Sequence, residues 1–349
     1  MSPLALLIAV VLLLLAAEVL FQIVALKLSL PIFEHRPPIS AELYPPDSSA
    51  EQVAITTRDG LRLAGSWWRT SHDVPRGVIL FCHELDSNRW SALAYCEGLL
   101  AAGFHVFTFD FRNHGDSQSL AGYSPLHWAT EFEIEDIRAA TACIAAHPDL
   151  GHLPLGIFGM SRGGTAALVA AAGCEAIRCV AADGALACVE MQGHYTHRWG
   201  RLYFPDLVFH WVPMWHQHFT LWLVRTFSEL RKRVRYVIAE RAAAELRSKP
   251  VLLISGARDT YVNPEITQRL HTRTGQPAAS LWIVPDAKHN MSRQTCPQEY
   301  DARLVEFFAA LEPAGSETPF AAVALADGIA ADSAPAPSLT ATSSYSSAN

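Results

Sequence analysis

Short, unbroken apolar runs alternate with stretches of helical spacing through most of this chain, and that alternation constrains its fold more than anything else in it. Val78–Cys82 reads VILFC, His105–Asp110 HVFTFD, Leu155–Met160 LGIFGM, Val251–Ser255 VLLIS and Leu281–Val284 LWIV. Runs this short with no polar alternation are the pattern of strands buried on both faces. Between them, Ser91–Ala102, Glu131–His147, Thr165–Ala172, Pro264–Thr272 and Gln298–Leu311 have helical spacing. Ile177–Ala182 adds a strand, and Gln52–Thr57 and Leu61–Arg69 flank the turn signal Arg58-Asp59-Gly60 as a β-hairpin. The expectation is an α/β fold: a mostly parallel central sheet with helices on both faces, led by an antiparallel hairpin. From residue 185 to 249 the strand rhythm stops, as an inserted helical cap would make it do.

Both ends of the chain differ from this body. Leu4–Leu26 is 23 residues long and broken only by Glu18 and Gln22, and ~20 apolar residues suffice for a helix to cross a bilayer. Met1–Leu7 carries no basic side chain and the run is longer than a signal peptide's apolar region of about 7–15 residues, so an uncleaved anchor over residues 1–32 fits better than a signal peptide. An apolar helix packed on the body is the alternative, kept open by Glu18 inside the stretch. Lys27 and Arg36 follow the segment and no basic residue precedes it, which favours a single-pass membrane protein with its body on the cytoplasmic side. Residues 313–349 drift to Ala, Ser, Thr and Pro and are expected to be a disordered tail. The α/β domain is then residues 40–312, with the cap at 185–249.

Charge and cysteine usage exclude other classes. The chain has 27 Lys plus Arg against 34 Asp plus Glu, a net charge of −7, which argues against a nucleic-acid partner. Its seven cysteines form no CxxC pair and are odd in number, so neither a zinc knuckle nor a complete disulfide framework is expected. His194, His197, His210, His216 and His218 cluster in the insertion among Trp199, Trp211, Trp215 and Trp222, with no carboxylate in a ligand motif. Aromatic packing in the cap is favoured over a metal site, and no metal or cofactor is expected. The basic run from Arg231 to Arg235 follows these aromatics, a combination that also suits a membrane interface.

The chemistry centres on Gly159-Met160-Ser161-Arg162-Gly163, a G-x-S-x-G that follows an apolar strand and opens a helix. A serine N-cap would fit the letters alone. A sharp strand-to-helix turn that lifts the hydroxyl above the sheet fits the context. Such a hydroxyl needs an imidazole base and an acid to orient it. Asp259 follows the strand VLLISG and His289 follows SLWIVP, so both lie at strand carboxyl ends, on the sheet edge that Ser161 shares. Cys82 beside His83 could suggest a thiol nucleophile, but it ends a buried strand and reads as core.

The body resembles the α/β-hydrolase superfamily, among its membrane-anchored esterase, monoacylglycerol-lipase and serine-aminopeptidase-like members, over about Val53 to Leu311. The resemblance rests on the elbow, on the order Ser161, Asp259, His289, and on two loops. Cys82-His83-Glu84-Leu85-Asp86-Ser87-Asn88-Arg89 corresponds to the family's His-Gly loop, and Asp110-Phe111-Arg112-Asn113-His114-Gly115-Asp116-Ser117 to its turn after the next strand. It implies an oxyanion hole made by the backbone N–H groups of Leu85 and Arg162. Glu84 stands where the family has glycine, and a carboxylate there would oppose the charge the hole must stabilise. Of the ways to tolerate it, namely exposure to solvent, protonation by burial or a cation, an ion pair with Arg162 is the one expected. The function expected is a serine hydrolase of a carboxylic, lipid-like ester. An amide or peptide-bond hydrolase and a non-catalytic binding protein that has kept the fold are the alternatives.

Overall fold

The computed structural model describes residues 2–36, 42–200 and 212–311. The tail expected over 313–349 lies outside the described residues, as do residues 201–211 of the expected cap, including His210 and Trp211. Eight strands form one sheet in the order β1-β2-β4-β3-β5-β6-β7-β8. They are β1 (Glu51–Thr56), β2 (Arg62–Trp68), β3 (Gly77–Cys82), β4 (Phe104–Phe109), β5 (Leu155–Met160), β6 (Ile177–Asp183), β7 (Val251–Gly256) and β8 (Leu281–Val284). The β1–β2 and β2–β4 pairs are antiparallel and the others parallel. This is the expected sheet with its leading hairpin.

Every residue of β3, β4, β5 and β7 is buried, which accounts for their unbroken apolar runs. Alternation assigns Val78, Leu80 and Cys82 to one core and Ile79 and Phe81 to the other, so each strand serves two layers. Each such fully buried apolar side chain stabilises the fold by roughly 1.5–3 kcal/mol. The covering helices are α2 (Ala92–Ala101), α3 (Glu131–Ala145), α4 (Arg162–Ala172), α8 (Pro264–Thr274) and α10 (Pro297–Ala309), with a short α9 (Ser292–Thr295) before α10. Thr130 and Glu133 start α3 as a capping box.

Among the described residues the insertion holds three helices, α5 (Cys188–Gly200), α6 (Met214–Lys232) and α7 (Ala239–Glu245). At the amino end α1 spans Pro3–Phe33, with its apolar window at a mean hydropathy of 3.0 and none of that window buried. It is long and apolar enough to cross a bilayer.

Strand register places the functional loops on one edge. Cys82 pairs with Gly159, Met160 with Asp183, and Asp183 with Ile254. The carboxyl ends of β3, β5, β6 and β7 therefore finish together, with the loop after β8 beside them.

Candidate active site

Ser161 is the turn between β5 and α4 and has φ 51° and ψ −117°. A non-glycine residue there is strained, by roughly 1–3 kcal/mol, and persists only where its surroundings over-determine it. Its N–H donates to the Asp183 carbonyl at 2.7 Å and its carbonyl accepts from Thr165 N–H at 3.0 Å. The flanking glycines are required by close approach. A Cβ on Gly159 would lie 2.4 Å from the Gly163 carbonyl oxygen, and one on Gly163 would lie 2.3 Å from that of Cys82 and 2.4 Å from that of His83. The second contact also shows that the loop after β3 rests directly on the elbow. The Ser161 side chain makes no cap hydrogen bond.

The serine Oγ instead lies 2.9 Å from His289 Nε2, and His289 Nδ1 lies 2.6 Å from Asp259 Oδ2. The other Asp259 oxygen accepts from the N–H groups of Tyr261 and Val262, each at 2.8 Å, which fixes the carboxylate against rotation. With Asp259 accepting at Nδ1, that nitrogen carries the proton and Nε2 is left to accept from the serine. The ring is held from two further sides. Tyr261 meets it edge-on at 5.1 Å, and a Cβ at Gly184 would come within 3.0 Å of its Cε1.

His83 is buried and receives the Phe111 N–H at Nε2, at 3.1 Å. Its Nδ1–H therefore donates to the Glu84 carbonyl, at 2.7 Å. Burial holds His83 below the ordinary histidine range and so neutral. Because a trans peptide sets C=O and N–H in opposite directions, fixing the Glu84 carbonyl on His83 aims the Leu85 N–H away from that ring. The turn after β4 holds this arrangement. The Asp110 carboxylate accepts from Arg89 N–H at 2.6 Å and Asp116 N–H at 2.9 Å and pairs with the Arg89 guanidinium, and Arg112 binds Asp136 of α3 at 2.6 Å.

The expected ion pair between Glu84 and Arg162 is not formed. The Arg162 guanidinium is buried and bonds Glu133 at 2.8 Å and the Tyr123 hydroxyl at 2.9 Å. Glu133 is already fixed by its capping role, accepting from Thr130 N–H at 2.7 Å. Glu84 faces α2, with the Tyr95 and Ser91 hydroxyls each 3.5 Å away. Tyr95 belongs to one core and Tyr123 to the other, so the two side chains point into different layers. Burial pushes the Glu84 carboxyl up to about 7, which favours its protonated form below that pH in place of the expected ion pair.

A pH dependence follows from Glu84. A carboxyl whose pKa is raised on folding stabilises the native state fully below its unfolded value, and that contribution is lost as pH rises through the folded one. From pH 4.5 to 7, wild type is expected to lose about 3 kcal/mol relative to Glu84→Gln, with no further divergence above that window. Urea unfolding of both proteins across pH 4.5–8 measures it, and parallel curves would refute it.

Asp183 is a buried carboxyl at this edge that sequence reasoning missed. It accepts from Ser292 Oγ at 3.1 Å and the Tyr300 hydroxyl at 3.0 Å, and burial pushes it up to about 6. Its signal was a lone aspartate at the carboxyl end of a strand, in Ala182-Asp183-Gly184. Nothing comparable marks Tyr261 or Tyr123. Burial pushes the Cys82 thiol up, as suits a core residue. Among the described residues no group of three or more His, Cys, Asp or Glu is arranged to hold a metal.

Residues 73–211 match the family described as serine aminopeptidase, S33, a span that includes the elbow and stops before Asp259 and His289. The chain is 28% identical to the uncharacterized protein YqkD of Bacillus subtilis (strain 168) over 68% of its own length and 72% of that protein's. It is 25% identical to the uncharacterized protein YfhR of Escherichia coli (strain K12), over 71% and 76%. Among solved structures it resembles the Pyrococcus furiosus esterase Pf2001, at TM-score 0.56 and 25% identity, covering 79% of this chain and 98% of that one. It also resembles a cold-adapted esterase from an Arctic intertidal metagenomic library, at TM-score 0.52 and 18% identity, covering 77% and 97%.

Proposed function

The chain belongs to the α/β-hydrolase superfamily, and from that premise we propose that it is a serine hydrolase cleaving a carboxylic ester through an acyl-enzyme on Ser161. The observation that carries this reading is the continuous hydrogen-bond path from Ser161 Oγ through His289 to Asp259. As the serine oxygen bonds to the ester carbonyl carbon, its proton passes to His289 Nε2. Asp259 stabilises the resulting imidazolium. Negative charge collects on the former carbonyl oxygen, toward which the N–H groups of Arg162 and Leu85 are directed in this reading, the latter through His83. The intermediate collapses with return of the proton from His289 to the departing alkoxide. Water then bonds through its oxygen to the acyl carbon while its proton passes to the same nitrogen, and as the bond to Ser161 Oγ breaks that proton returns to the serine oxygen and the acid leaves. No cofactor takes part in these steps.

A lipid-like ester is the substrate class we favour, because α1 would tether the body to a bilayer, with its single pass ending at Lys27 and Arg36 on the cytoplasmic side. Amide hydrolysis uses the same triad, and the description of the matched family, serine aminopeptidase, favours that second reading. A fluorophosphonate probe tests the shared chemistry. It is expected to label the wild-type chain on the peptide bearing Ser161 and to leave Ser161→Ala unlabelled. A wild-type chain inert to the probe and to a panel of esters and amides would favour a binding protein that has kept the fold.

A further inference from the structure

The anchor helix and the cap helix α6 are packed side by side, and their polar contacts set the register. At one end His216 Nε2 lies 2.9 and 3.0 Å from the two carboxylate oxygens of Glu18, and Gln22 donates to Glu18 at 2.7 Å. The Phe21 ring lies 5.2 Å from the His216 ring. At the other end Ser228 Oγ donates to Glu34 at 2.8 Å, and Arg231 pairs with the same carboxylate. Sixteen residues separate Glu18 from Glu34 and fifteen separate His216 from Arg231, so the two helices run parallel, in step, over about four turns.

We propose that α6 is a second membrane element, whose outer face enters the lipid beside α1. This rests on the reading of α1 as a membrane span. Leu26, the last residue of the apolar run, lies eight residues beyond Glu18, about 12 Å along the axis at 1.5 Å per residue. The first two turns of α6 then lie within the apolar layer, and Trp222 lies near its boundary, the level that tryptophan favours.

The side chains on this stretch fit that depth. Trp215, Phe219 and Trp222 recur at the spacing of one helix face and are 68%, 42% and 47% exposed. Leaving three such half-exposed rings in water forgoes burial that lipid would supply. Of the polar side chains on the same turns, three are met within the protein, and the fourth, His218, is exposed beside a cavity. His216 is held by Glu18, Gln217 donates to the Val212 carbonyl at 2.9 Å, and Thr220 donates to the His216 carbonyl at 3.1 Å. His218 lines a cavity of about 260 Å³ with Gln192 and Arg225. The cationic residues of α6, Arg225, Arg231 and Lys232, all follow Trp222, toward the headgroups and the body. With α6 in the leaflet, the cap is tied to the membrane, and lipid beside it can reach the body without crossing bulk water.

The full chain, reconstituted in phosphatidylcholine vesicles whose acyl chains carry a diazirine, tests this by irradiation, digestion and mass spectrometry. Adducts are expected both in Leu4–Leu26 and in Met214–Trp222. Phe219→Arg is expected to reduce the adducts on α6 severalfold and to leave those on α1 unchanged. Adducts confined to α1 in the wild-type chain would overturn the proposal and leave the anchor standing. Adducts on neither helix, with the chain released by alkaline carbonate, would remove the anchor and the proposal with it.

Discussion

Replacing Ser161 with alanine is expected to lower kcat for ester hydrolysis by a factor of about 10⁴–10⁶ and to leave thermal stability nearly unchanged. The substitution removes one oxygen whose hydrogen-bond partner is His289, 2.9 Å away. On the acyl-enzyme reading, the N–H groups at the elbow and the β3 loop together with substrate binding would still order and polarise an ester, so a residual rate of roughly 10³–10⁴ over water is the expected floor. Asp259→Asn is expected to cost about 10³–10⁴, because an amide disturbs the tautomer that leaves Nε2 free to accept. Steady-state hydrolysis of a short-chain chromogenic ester measures both variants. If Ser161→Ala kept more than a few per cent of the activity, the acyl-enzyme would be excluded.

The second large effect concerns stability. Glu133→Ala is expected to destabilise the fold by roughly 3–5 kcal/mol, because it leaves the buried Arg162 guanidinium without its carboxylate. Loss of the acceptor for Thr130 N–H, Thr130 Oγ1 and the Tyr123 hydroxyl adds to this. That is a large share of the 5–15 kcal/mol typical of a folded protein. Arg162→Met in the same chain removes the orphaned cation, so the double variant is expected to lose much less than the sum of the two single losses. Urea unfolding of the three variants gives the coupling. A loss below about 1 kcal/mol for Glu133→Ala would mean that Arg162 finds water instead.

The contrast between Glu133 and Glu84 marks the reach of sequence reasoning at this site. Ser161, Asp259 and His289 could be singled out because each follows an apolar strand, and parallel strands bring their carboxyl ends to one edge regardless of the helices between them. Glu84 was also recognised as anomalous, from its place in the loop. Its partner could not be read, because two acidic residues distant in sequence, Glu84 and Glu133, were both available to Arg162. Only the layer to which α2 and α3 belong decides between them.

Taken alone, the sequence determined the strand set, the leading hairpin, the break in strands between β6 and β7 and the apolar run of α1, because apolar period and turn chemistry act over a few residues and survive without a partner. The tertiary structure alone decided that Asp183 underlies the elbow, that His83 turns the Glu84 peptide, that Arg162 pairs with Glu133, and that α6 lies in step with α1. Each of these joins groups far apart in the chain. Which buried polar group meets which is set by the layer and register of whole elements, and period and turn chemistry carry neither.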